Sequence, residues 1–210
     1  MNTGGITIVA SYNVGLFLKG QRLPGPGETV IADSFYEGGG GKGSNQALAA
    51  SVLGAPTRLV VRIGTDQYGD DALAMYNRYG ISTDNKHEAG VLTGIPVRGV
   101  EDALRAGRGF IEHGVKTAII TLGELGAVWV TQNGEGHFLP PTVQAIDTTG
   151  AGDTFSGAFM AAVSRGKPLE ESIRFANTAA AMSVTRLGVV EAIPQLAEVQ
   201  AFQSALAEAA

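Results

Sequence analysis

Two clusters of glycine, Gly38 to Gly43 and Gly150 to Gly152, each stand immediately before an alanine-rich amphipathic stretch, and no other feature limits so strongly what the chain can become. Glycine at such a place lets the backbone turn tightly into a helix or come close to a ligand, because no Cβ intervenes. Glycine makes up 30 of the 210 residues, about twice the usual share of roughly 7%. The glycines follow no repeat and are not diluted with Ser and Gln as in a linker, so they punctuate a folded domain.

Between the glycines, the apolar pattern alternates between strand and helix. Ile6 to Ala10 is a short β-branched run, and Val14 to Lys19 and Thr29 to Phe35 read as strands flanking the turn Leu23-Pro-Gly-Pro-Gly27. Ser44 to Leu53 and Gly69 to Tyr79 read as helices, with Thr57 to Ile63 between them as the buried kind of strand that parallel sheets use. Beyond a polar stretch, Val100 to His113 is helical and Lys116 to Leu122 is a strand, while Ala127 to Thr131 and Gly136 to Leu139 pair across Asn133-Gly134. Ala151 to Ser164, Leu169 to Arg186 and Leu196 to Glu208 carry apolar residues at helical spacing. The reading is a single α/β layered domain over residues 1–210, with a mostly parallel central sheet and a small β-hairpin at about 12–36.

Composition removes several classes of function. Hydrophobic residues at 44% and charged residues at 17% exclude global disorder. A net charge of -5 without a basic stripe argues against nucleic acid as a partner. No apolar run approaches about 18 residues and Met1 to Ser11 does not read as a signal peptide, so neither a membrane span nor export is expected, and the cytoplasm is the expected location. Cysteine is absent, and His87, His113 and His137 show no ligand spacing, so any metal is held by oxygen. His87 reads as solvated, Trp129 as core, and Glu170-Glu171 as acidic residues suited to a helix start.

Gly38-Gly-Gly-Gly-Lys-Gly-Ser-Asn45 opens a helix whose first N–H groups lack intrahelical partners, a setting suited to oxygen-rich ligands. It is not a Walker A loop, because Lys42 is followed by Gly and position 36 is Tyr. It does match G-x-G-x-x-G, with Asp66 some twenty residues on after a strand, so a dinucleotide site is one alternative and a plain glycine-rich turn another. Asp147-Thr-Thr-Gly-Ala-Gly-Asp153 is sharper: Gly150, Ala151 and Gly152 expose backbone N–H groups at the positive end of a helix, an anion hole for a transferring phosphoryl group. Asp153, in the first turn, could take the proton of an attacking hydroxyl or could simply complement the helix dipole.

Taken together, Gly41-Lys-Gly-Ser-Asn45 and Asp147 to Asp153 resemble the signatures of the ribokinase-like carbohydrate kinase (PfkB) family, ribokinases above all. The resemblance extends through Ser11-Tyr-Asn13, Leu23-Pro24, Pro26-Gly-Glu-Thr29, Gly40 to Ala47 and Gly64 to Gly69. It continues in Thr121-Leu-Gly-Glu-Leu-Gly126, Arg174-Phe-Ala-Asn177 and Thr185-Arg186. It implies a ribokinase-like fold and an ATP-dependent kinase acting on a small sugar such as ribose, with Mg2+ and K+ as cofactors. A homodimer is expected separately, because the hairpin strands Val14 to Lys19 and Thr29 to Phe35 would be marginal in water without another chain to pair with. Asn13, Gly41, Lys42, Gly43 and Asn45 would hold the sugar, and Asp153 would deprotonate the accepting hydroxyl. Thr121, Leu122, Gly123, Gly126, Gly152 and Asn177 would line the nucleotide site. Asp147, Thr149, Ser183, Arg186, Gly188 and Ala192 would surround a monovalent cation, largely through main-chain carbonyls.

The chain departs from the family at two places. The sugar-binding Asp that follows the family Asn by two residues is Gly15 here, and near 90–92 the chain jumps across about a third of a typical family member. That loss takes half of the lid, several central strands and the Asn-x-x-Glu motif associated with magnesium. Bare sheet edges and exposed apolar surface are expected in consequence. A non-catalytic sugar- or nucleotide-binding protein of the same fold is the alternative function.

Overall fold

The computed structural model describes residues 5–84, 99–112 and 114–208. His87, His113 and the junction near 90–92 lie outside the described residues. In chain order the elements are β1 (Ile6–Ser11), β2 (Asn13–Lys19), β3 (Ser34–Gly40), α1 (Lys42–Val52), β4 (Thr57–Arg62), α2 (Gln67–Arg78) and β5 (Ser82–Asp84). Then come α3 (Val100–Glu112), β6 (Thr117–Thr121), β7 (Ala127–Thr131), β8 (Gly134–Phe138), α4 (Ala151–Ser164), α5 (Leu169–Ser183) and α6 (Leu196–Glu208).

Strands β1, β4 and β5 form a parallel sheet in that order, with Ile6 opposite Thr57 and Arg58 opposite Ser82. Helix α1 is the crossover between β1 and β4. The segment read as a fully buried strand is half-buried instead: Thr57, Leu59 and Val61 face a core shared with Leu48, Ala72 and Tyr76, whereas Arg58 is exposed. On the neighbouring β1, Ile8 is buried but Val9 is 63% exposed. One face of this sheet is covered by helices and the other, among the described residues, is not, which is the bare surface expected from the shortened chain.

Strands β6, β7 and β8 form a separate antiparallel sheet, and β2 and β3 form a third sheet of two strands. The β7–β8 turn is Gln132-Asn133, with Gly134 already in the ladder opposite Thr131. Trp129 packs against the larger core formed by α4, α5 and Ala127. Asp66, where a dinucleotide site would want a ribose acceptor, caps α2 by accepting the Gly69 N–H at 3.0 Å. That contact assigns the Asp66 carboxylate to the fold and leaves the dinucleotide reading without its acidic residue.

Strand β3 (Ser34–Gly40) is shifted five residues toward the C-terminus from the stretch Thr29 to Phe35 read as a strand, overlapping it at Ser34 and Phe35. Thr29 to Ala32 has no regular structure, and the glycines Gly38 to Gly40 are paired with Gly15, Val14 and Asn13. Their missing side chains explain this: a Cβ on Gly39 would lie 2.6 Å from the Tyr12 hydroxyl, and one on Gly15 would lie 2.6 Å from the Phe17 ring. Backbone pairing with β2 carries the strand through these glycines, where propensity alone would end it.

Candidate active site

The site is assembled where the starts of α1 and α4 meet. Gly41 enters α1 with φ at +107°, and a Cβ there would lie 2.8 Å from the Ser11 carbonyl oxygen, so glycine is required for both conformation and space. This contact draws the helix start against the β1–β2 corner and places Gly40 opposite Asn13 in the ladder. Lys42 is exposed at the first helical position, while Gly43 lies against β1, its missing Cβ leaving room for Ala10.

Asn45 is 8% exposed and donates from Nδ2 to Oδ2 of Asp153 at 3.0 Å. Gln46 donates from Nε2 to Oδ1 of the same carboxylate at 3.3 Å. Asn45 Oδ1 is buried without a hydrogen-bond partner, which is uncommon enough in a folded interior to mark an acceptor kept for something else. The sequence reading had no role for Gln46, although it lies within the Gly40–Ala47 match. Only the crossing of α1 and α4 shows where its side chain reaches.

The crossing itself rests on Gly157, one turn beyond Asp153. A Cβ on Gly157 would lie 2.4 Å from Ala49 Cβ, 2.6 Å from the Gln46 carbonyl oxygen and 2.7 Å from Ala50 N. The helices therefore touch backbone to backbone, and Asp153, at i−4 on the same face of α4, is brought within reach of the two amides.

On the other side of Asp153, α4 begins at Gly150 with φ at +77° and no side-chain cap. A cavity of about 580 Å³ opens there, lined by Thr121, Gly123, Gly126, Thr148, Gly152 and Asn177 among others. Nothing lies within 4 Å of the position a Cβ on Gly152 would take, so a ligand can approach that backbone closely. Leu122 is not in the wall; its N–H donates to the Gly126 carbonyl at 2.7 Å and closes the loop. Asn177 is buried and donates from Nδ2 to the Phe138 carbonyl at 2.9 Å, tying α5 to the end of β8.

Asp147 fastens the loop before α4. Its Oδ1 accepts the Thr149 N–H at 2.9 Å and its Oδ2 accepts the Gly188 N–H at 3.2 Å. The Thr149 hydroxyl, followed by these N–H groups, holds the Asp147 carboxyl below the usual carboxylate range. The N–H groups of Ile146 and Asp147 also donate to the Val184 carbonyl, at 2.7 and 3.1 Å. The loop at 146–150 and the turn after α5 are thus joined, and Gly188 comes beside Asp147 as the resemblance implies. The Arg186 guanidinium turns to Glu198 at 2.6 Å, Ser183 Oγ donates to Ala180, and Ala192 is buried. Any part these three play toward a cation falls to their main chain. No group of three or more acidic or His side chains able to hold a metal ion occurs among the described residues.

An α/β core whose two glycine-led helix starts meet beside a cavity of about 580 Å³ is the class these elements define, and known structures of that class superpose on the chain. Ribokinase from Thermotoga maritima matches with a TM-score of 0.82 at 28% identity, over 95% of this chain and 99% of that one. Arabidopsis thaliana ribokinase, solved with ribose and ATP, shares the fold with a TM-score of 0.80 at 23% identity, over 94% and 97%. The profile of the pfkB family carbohydrate kinases matches residues 6–85 and 83–196, and the chain belongs to that family. Haemophilus influenzae ribokinase is 43% identical over 123 residues, covering 58% of this chain and 40% of its own. Staphylococcus aureus ribokinase is 25% identical over 300 positions, covering 94% of this chain and 99% of its own. Because 94% of 210 residues is spread over those 300 positions, about a third of them face no residue here, in keeping with the missing central segment. No helix among the described residues is long and apolar enough to cross a membrane.

Proposed function

We propose that this carbohydrate kinase transfers the γ-phosphoryl group of ATP to a hydroxyl of a small sugar such as ribose, with Asp153 as the general base. One observation carries the reading: a single carboxylate, held by the α1 amides of Asn45 and Gln46, directly follows Gly152, which lines a cavity of about 580 Å³. The sugar would lie in the corner formed by Asn13, Gly41, Lys42 and Asn45, where Asn45 Oδ1 accepts a hydroxyl proton and so gains the partner it lacks. Gly43 supports that corner from behind. Asp153 takes the proton of the attacking hydroxyl, the hydroxyl oxygen forms the new bond to the γ-phosphorus, and the bond from phosphorus to the β–γ bridging oxygen breaks to release ADP. Backbone N–H groups of Gly150 and Gly152 face the charge that develops on the phosphoryl oxygens, whereas the Ala151 N–H, expected to join them, donates to the Thr148 carbonyl at 3.3 Å. The adenine and ribose occupy the cavity walled by Thr121, Gly123, Gly126 and Asn177.

Mg2+ would neutralise the β- and γ-phosphates while held chiefly by their oxygens and water. K+ would sit at main-chain carbonyls of the loop Asp147 to Thr149 and the turn Ser183 to Ala192, stiffening the loop that carries the anion hole. ATP supply fits a cytoplasmic location. The test is phosphate transfer from ATP to a panel of pentoses and nucleosides, in potassium and in an organic-cation buffer of equal ionic strength. Turnover on a pentose, faster in potassium, is expected. Tight binding of sugar and ATP without turnover would instead establish the non-catalytic alternative.

The same reading includes a homodimer joined through the β2–β3 hairpin. Its two strands pair with no other described strand, and Leu16, Leu18 and Phe35 are more than half exposed, although a lone two-stranded hairpin is marginal in water. Light scattering at micromolar concentration should give a dimer. A monomer whose hairpin resists protease would overturn this part.

A further inference from the structure

We propose that Gln46 is a positioning residue for Asp153, fixing the rotation of its carboxylate so that a free lone pair faces the sugar hydroxyl. The inference rests on the kinase reading of the site. A carboxylate presents about four lone-pair directions. Here Asn45 occupies one on Oδ2 and Gln46 one on Oδ1. With one donor on each oxygen the group cannot swing about its terminal torsion, which is otherwise broad. The two donors differ in what else they do: Asn45 also presents an unpartnered buried oxygen, as a ligand contact requires, whereas Gln46 offers its amide to the carboxylate. The Gln46 main-chain carbonyl also lies in the crossing, 2.6 Å from where a Cβ on Gly157 would be. Its backbone therefore keeps a set distance from α4, and its side chain starts from a fixed origin one turn from Asp153.

The experiment compares Gln46→Leu and Gln46→Glu with the parent in the transfer assay, with melting temperature measured on each protein. Losing the donor in Gln46→Leu should lower kcat by about tenfold, a fraction of the usual general-base contribution, with KM for ATP unchanged within about twofold. Gln46→Glu keeps the size and shape but sets a second carboxylate against Asp153, so its kcat should fall below that of Gln46→Leu. A packing role predicts the reverse order, since the glutamate is the closer isostere. Either variant as fast as the parent, Gln46→Glu faster than Gln46→Leu, or kcat falling only in step with melting temperature would overturn the proposal. A parent without turnover on any acceptor would remove the kinase reading and this proposal together, whereas an active parent with indifferent variants removes this proposal alone.

Discussion

Strand β1 and helix α4 both pack against α1, and they do so in opposite manners. On the face turned to α1, β1 buries Ile8, yet Val9 on its other face is 63% exposed in a parallel strand, a setting where both faces are ordinarily covered. Helix α4 meets α1 at Gly157 with no room for a methyl group, and Thr154, Phe155, Ala158, Ala161 and Ala162 are all buried along it. The groups of the proposed chemistry belong to the second contact. Asn45 and Gln46 come from α1, and Asp153 and the anion hole come from α4, so a chain that lacks central strands of its family still holds these groups in register. Damage to the seam should therefore be felt in catalysis, and damage to the open sheet face should not.

The largest effect is expected at Asp153. Asp153→Asn keeps the shape and the backbone around Gly150 to Gly152 but removes the base, and should lower turnover by roughly 10²–10⁴-fold while ATP affinity changes little. If Asp153 served only the helix dipole, turnover would be unchanged and stability would fall by less than about 1 kcal/mol. Turnover and melting temperature measured on the same pair of proteins separate the two.

A smaller effect, on stability first, is expected from Gly157→Ala. The added methyl group would meet Ala49, the Gln46 carbonyl and Ala50 N at 2.4–2.7 Å, and backbone atoms yield less readily than side-chain ends. Overpacking of this kind costs typically about 1–3 kcal/mol. Because separation of the helices also lengthens both amide contacts to Asp153, kcat should fall as well, while a urea melt reports the stability loss. A variant with parental stability and turnover would show that the seam is looser than its geometry indicates.

The same contrast marks what could be read from residue order alone. Ala151–Ser164, Leu196–Glu208 and Ala127–Thr131 stand where the apolar pattern puts them, and α4 buries Phe155, Ala158, Ala161 and Ala162 at the helical spacing that residue order records. Asn45 and Asp153 were legible through signatures that chemistry ties to glycine-rich helix starts. The shift of β3 to Ser34–Gly40 was not, since pairing with β2 and the closeness of Tyr12 decide it over a distance that propensity does not see. Nor was Gln46, whose function arises from a contact across 107 residues of chain set by a glycine on another helix. The exposed face of β1 was foreseen only as a consequence of absent strands, while the alternation of exposed Arg58 with buried Leu59 on β4 overrides the reading of a doubly buried strand.

The smallest effect is expected on that open face, and it bears directly on whether the face stays open. Val9→Thr preserves shape and β propensity while exchanging a methyl group for a hydroxyl, which water can satisfy at a site 63% exposed. The change in stability should stay within about 0.5 kcal/mol. Ile8→Thr, one residue away on the covered face at 8% exposure, is the control: it buries a hydroxyl and deletes apolar contact, and should cost about 1–3 kcal/mol or more. Melting both variants and the parent at two protein concentrations reads the difference. If Val9→Thr instead destabilised as much as Ile8→Thr, and did so more at the higher concentration, the face of β1 would be covered in solution by another chain. The contrast between the open sheet and the closed seam would then hold for a single chain but not for the assembled protein.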